Sequence, residues 1–101
     1  MNTIDFTIST PDDAINLMEL FPTDQIIISK DNFDPTFFDI STRKLGEFLQ
    51  KFTNYRVKLA IIGDFTDVSK SFHDFIYESN KRREYLFVNS EEEAEKLWSD
   101  N

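Results

Sequence analysis

The sequence predicts an α/β domain whose four-stranded, mostly parallel sheet is built from repeated strand–helix units, with four helices in all. Three observations point there. Strand-like runs and amphipathic helical stretches alternate four times in chain order. Ile26–Ile28 is a continuous apolar run and Val57–Ile62, Lys58 aside, is apolar on both sides, as strands covered on both faces are. Leu45, Phe48, Leu49, Phe52 and Tyr55 recur at the three-and-four spacing of one helix face, and the second of those runs follows directly. Parallel neighbours joined by helices require crossovers, which are right-handed in nearly all sheets. A chain of 101 residues is the size of one core, so residues 1–101 are expected to form a single domain.

In chain order, Ile4, Phe6 and Ile8 alternate with Asp5, Thr7 and Ser9, the period-two pattern of an edge strand with one wet face. Thr10 as N-cap, Pro11 at the first helical position and Asp13 three residues after the cap open a first helix. Its stripe is Ala14, Leu17, Met18 and Phe21, and Pro22 ends it. Ile26–Ile28 forms the next strand. Lys30 to Phe38 is a polar connection in which Asp34-Pro35 can cap one helical turn. After the second helix, Val57, Leu59 and Ile61 point one way and Ala60 and Ile62 the other, so this strand is internal, and Gly63-Asp64 ends it at the carboxyl edge of the sheet. Ser71 and Asp74 repeat the capping-box spacing before a third helix with Phe72, Phe75, Ile76 and Ser79 inward and Asn80 as its stop. Tyr85–Val88 is the last strand. Ser90 and Glu93 cap a closing helix with Ala94, Leu97 and Trp98 inward and three glutamates at its positive end.

Eleven phenylalanines compensate for a modest apolar fraction of 40%, since large rings bury more area per residue than the aliphatic side chains they replace. The net charge of −8 excludes a phosphate-backbone binder, so no nucleic acid is expected as partner. The charge is unevenly placed. Residues 1–40 hold eight acids against Lys30, whereas residues 41–58 hold five cations against Glu47, a dipole that a protein partner or a second copy in a homodimer could read. The absence of cysteine removes disulfides, thiolate zinc sites and cysteine nucleophiles. MNTIDFTIST lacks a basic lead and an apolar core, and no apolar run approaches a membrane span. A cytoplasmic location without membrane contact is expected.

Catalytic chemistry finds little to stand on. The single histidine, His73, falls on the outer side of the third helix, and Gly46 and Gly63 cannot supply a glycine-rich phosphate loop. No catalytic residue, metal or cofactor is expected. Asp31 and Asp64 both follow strands that end on one sheet edge, and Asn89 follows a third, which makes these three the candidate strand-edge site if the domain binds a small ligand or acts as an enzyme. The other candidate is a local conflict. Arg43 and Lys44 occupy the first turn of the second helix, where the macrodipole disfavours cations. Two explanations are open: the helix starts earlier, near Pro35, or Asp39 screens the pair; alternatively an anion is held here, such as a phosphate on Ser41 or Thr42.

The blocks FFD, GE-x-LQKF-x-NYR, LAIIGDF and DFIYESN, spanning Phe37 to Asn80, resemble the small bacterial family of domain of unknown function 4180. More distantly, Asp39-Ile40-Ser41-Thr42 before a helix and strand, together with the closing NSEEEAEKLW, is similar to STAS, or anti-anti-sigma, domains. There the corresponding turn reads Asp-Ser-Ser-Gly, and its second serine can be phosphorylated to control partner binding; the glycine is missing from this chain. The resemblance implies a STAS-like sheet in chain order, with most helices on one face and Ser41 and Thr42 as the matched positions. The sequence therefore favours a non-catalytic regulatory or protein-interaction module with Asp39, Ser41, Thr42, Arg43 and Lys44 in its contact surface. The ligand-binding or enzymatic alternative uses Asp31, Asp64 and Asn89.

Overall fold

A computed structural model describes residues 1–99 of the chain. Its sheet is parallel with the order β1-β2-β3, from β1 (Gln25–Ser29), β2 (Lys58–Ile62) and β3 (Tyr85–Val88). Four helices accompany it: α1 (Asp13–Leu20), α2 (Lys44–Asn54), α3 (Lys70–Arg82) and α4 (Glu91–Ser99). The strand that is apolar on both sides is central, as its alternation requires. Leu59 and Ile61 join Ile26, Ile28 and Phe87 beneath α1, α2 and α3, whereas Ala60 joins Ile27, Leu86 and Val88 beneath Ala94 and Trp98 of α4. Phe33, Phe37, Phe48 and Phe52 are not isolated rings in the larger core.

 They meet edge to face around Phe48, whose ring centre lies 5.5 Å from Phe33, 5.5 Å from Phe37 and 5.1 Å from Phe52.

The sheet has three strands where the sequence predicts four. Residues 4–8 keep their alternation of half-buried and exposed side chains but form no ladder, and only Ile8 makes a bridge, to Phe33 beyond the end of β1. The contact points explain why. The Asn2 amide donates to the Ile27 carbonyl at 2.8 Å and its side-chain oxygen accepts from the Ile27 amide at 2.8 Å, while Ile8 pairs with Asn32 and Asp34. The segment is thus pinned to the open edge of β1 at one end and to the following loop at the other. The β3 edge is closed in a similar way: Asn80 accepts from the Phe87 amide at 2.8 Å and donates to its carbonyl at 3.2 Å, and Ser79 donates to the Tyr85 carbonyl at 2.7 Å. Asn80 therefore does not stop α3, which runs on to Arg82.

Two caps and one stripe residue also differ from expectation. Thr10 does not cap α1 with its side chain; Asp13 instead reaches back to accept from the Ser9 and Thr10 amides. Ser69, one turn-start earlier than Ser71, caps α3 through the Phe72 amide at 3.2 Å. Tyr55 lies past the end of α2 and is 64% exposed, so it leaves the apolar stripe that Leu45, Phe48, Leu49 and Phe52 complete. Ser90 caps α4 as its spacing predicts, accepting from the Glu93 amide at 3.1 Å, while the Glu93 carboxylate reaches one residue further back and accepts from the Asn89 amide at 3.0 Å. Among the described residues the three with left-handed backbone are arginines at helix ends: Arg43, Arg56 and Arg83, with φ of 62°, 58° and 61°.

Candidate functional site

Between β1 and α2 the chain makes three successive 3-10 turns, each opened by a side chain that accepts from the backbone two residues on: Ser29, Asp34 and Asp39. Hydrogen bonds from the Thr36 amide and hydroxyl hold the Asp34 carboxyl below its ordinary value, with Lys44 adding to the effect, and those from the Ser41 hydroxyl and amide do the same for Asp39.

The conflict at the start of α2 is resolved here. The helix begins at Lys44, not near Pro35. The Lys44 ammonium turns back to donate to the Thr36 hydroxyl at 2.8 Å, which donates in turn to Asp34 at 2.9 Å, so Asp34 rather than Asp39 supplies the compensating charge. Arg43 is exposed and adopts the left-handed conformation, a backbone state that favours glycine. The two hydroxyls separate. Thr42 Oγ1 lies 2.9 Å from the Thr36 and Asp39 carbonyl oxygens and accepts from the Lys44 amide at 3.3 Å, a structural staple. Ser41 is exposed, and its hydroxyl is engaged only with Asp39, at 2.7 Å.

The strand-edge candidates do not converge in the same way. Asp64 turns its carboxylate onto the Thr66 amide at 2.9 Å, which holds its carboxyl below the ordinary range. Asp31 is exposed in the 3-10 turn after β1. Asn89 lines a cavity of about 290 Å³ with His73, Asn80 and Glu93, and neither Asp31 nor Asp64 lines it. The residue that does bridge this edge is Lys30. Its stem crosses Gly63 and its ammonium donates to the Asp64 carbonyl, 5.0 Å above the Phe65 ring centre. Among the described residues no group of three His, Asp or Glu side chains could hold a metal ion, and no helix is long and apolar enough to cross a membrane.

A longer concavity starts at the turn. One cavity of about 340 Å³ is lined by Ile40, Arg43, Leu45, Gly46, Glu47, Phe72 and Phe75. A second, of about 430 Å³, is lined by Gly46, Leu49, Gln50 and Thr53 of α2, by Phe75, Glu78, Ser79 and Arg82 of α3, and by Glu84 and Tyr85. They share Gly46 and Phe75, and so form one groove between α2 and α3. Tyr85 stiffens its floor by donating to the Leu49 carbonyl at 3.1 Å; burial, with the Glu84 carboxylate, pushes its phenol up to about 12. Sequence reasoning places Phe75 and Leu49 in the core and gives Gly46 no role. The available signal was a glycine on a helix whose apolar stripe it does not join.

The molecule is thus a small α/β domain with a three-stranded parallel sheet and an apolar groove between two helices on one face. The model of the domain of unknown function family DUF4180 matches residues 1–97, and the chain belongs to that family. No curated protein and no solved structure matches it.

Proposed function

We propose that this protein is a non-catalytic regulatory module that receives a helical segment of a partner protein in the α2–α3 groove, with the turn Asp39–Lys44 at the mouth. The observation that carries this reading is the continuity of the two cavities from the exposed Ile40 and Arg43 down to Tyr85. Such a trough between two helices, with rings on its floor and charged side chains at its rim, suits an amphipathic helix laid along it. Ile40 is 46% exposed at its entrance, an apolar side chain left half open to solvent.

The turn adds control. Ser41 presents an exposed hydroxyl, bonded only to Asp39, in the position that the STAS-like resemblance assigns to a phosphoacceptor, and a phosphate there would change the charge at the groove mouth by nearly two units. A cytoplasmic setting belongs to this reading, as does a partner other than nucleic acid or membrane: a charge of −8 repels both a polyanion and a second copy. Site-specific photo-cross-linking tests it. A photoreactive residue in place of Ser41 or Gln50 should yield discrete protein adducts in cells, and one in place of Glu95 on α4 should not. Equal adducts from all three positions, or none from Ser41 and Gln50, would reject the groove as the contact surface.

A further inference from the structure

We infer that Gly46 is the crossing point for a partner helix with a basic flank, a proposal that rests on the groove being the contact surface. Glycine weakens a helix relative to alanine, and nothing in the fold asks for it at this position. A Cβ built on Gly46 meets no atom within 4 Å, whereas one on Gly63 would lie 2.6 Å from the Lys30 Cβ. Gly63 is demanded from inside the domain; Gly46 is not. Its bare backbone instead lies where the two cavities meet, the one helix residue lining both from the α2 side. A helix residue without a side chain on the wall of an interhelical trough is what close approach of another backbone requires.

The charge of the occupant follows from the rim. Glu47, Glu78 and Glu84 line the groove against Arg43 and Arg82, and none of the five takes part in an ion pair among the described residues. With the domain at −8, the excess carboxylates favour lysine or arginine beside the apolar stripe of the partner and disfavour a second copy of this acidic chain. Since α2 is 11 residues long, an occupant of about three turns, on the order of 11–14 residues at 1.5 Å each, would run its length.

The test uses two synthetic 16-residue peptides (roughly four turns) with the same leucine and phenylalanine stripe at helical spacing, one flanked by lysines and one by glutamates, titrated into the full chain by fluorescence anisotropy. The lysine peptide should bind at least about tenfold more tightly than the glutamate peptide. Gly46→Arg, which projects into open space, should weaken it by about tenfold or more without lowering the thermal midpoint. Glu78→Lys should narrow the preference between the peptides. Equal binding of both peptides, or binding that survives Gly46→Arg, overturns the inference. If neither peptide binds while cross-links from Ser41 and Gln50 positions persist, the occupant is of another class and only the crossing-helix inference fails; if those cross-links are also missing, the groove reading fails with it.

Discussion

Asn80 closes the outer edge of β3 with a side-chain amide that mimics a neighbouring strand, and replacing it should cost far more than its place on a helix suggests. Phe87 is 4% exposed, and its amide and carbonyl find their partner in this one side chain, at 2.8 Å and 3.2 Å. Asn80→Ala removes both bonds, each worth about 0.5–1.5 kcal/mol net, and leaves a buried donor and acceptor without a partner, for a total of about 2–3 kcal/mol. In a domain of this size that corresponds to a drop of about 8–24 °C in Tm. Asn80→Asp is the sharper variant. It keeps the acceptor for the Phe87 amide but sets a carboxylate oxygen against the Phe87 carbonyl, so the folded-state pKa of the new acid is raised above its unfolded value. The destabilisation is then full above the folded pKa and shrinks as pH falls through it, vanishing toward the unfolded value of about 3.9. Urea unfolding against pH and exchange of the Phe87 amide measure both effects. A loss below about 0.5 kcal/mol for Asn80→Ala, or an Asn80→Asp variant that becomes relatively less stable in acid, would refute the edge-cap assignment.

The two glycines should respond in opposite directions: Gly63→Ala forces the Lys30 stem aside and should cost about 1–3 kcal/mol, whereas Gly46→Ala should gain about 0.5–1 kcal/mol by chemical denaturation. Ser41→Asp should change stability by less than about 1 kcal/mol, while Thr42→Asp places a carboxylate against the Thr36 and Asp39 carbonyls and should cost about 1–3 kcal/mol; equal effects would contradict the staple role of Thr42. The Asp34, Asp39 and Asp64 carboxyls have folded-state values depressed by hydrogen bonds, so their stabilisation is present above the ordinary value of 3.8 and is lost as pH falls through the depressed values. Thermal melts should therefore show an acid limb beginning below that value, and replacing all three by asparagine should flatten it; an unchanged limb would assign acid unfolding to other groups.

The elements with a periodic apolar pattern were legible from the residues alone. β2 announced itself as internal because Leu59 and Ile61 and, on the other side, Ala60 are all apolar, and α4 because Ser90 and Glu93 hold its start at the spacing a capping box needs. The N-terminal segment misled for a physical reason: alternation reports a side-chain environment, and Ile4, Phe6 and Ile8 do pack on the core without a ladder beside them. Asn80 looked like a helix stop because asparagine favours ends, but its amide was recruited by a strand seven residues on. At the candidate site, the exposed Ser41 and Arg43 were legible, and the pairing of Lys44 with Thr36 and Asp34 was not, since it depends on a 3-10 turn folding back across the helix start. The groove was hidden because Phe75, Leu49 and Tyr85 carry the same signature whether they end in a core or on the floor of a trough.

The most direct test of the central claim is photo-cross-linking in cells from the Gln50 position on the wall of the groove, with and without Gly46→Arg in the same chain. A discrete protein adduct that Gly46→Arg removes without lowering the thermal midpoint, and with no matching adduct from the Glu95 position, is the predicted result. An adduct that persists in Gly46→Arg, or that forms equally from Glu95, would contradict a contact surface between α2 and α3.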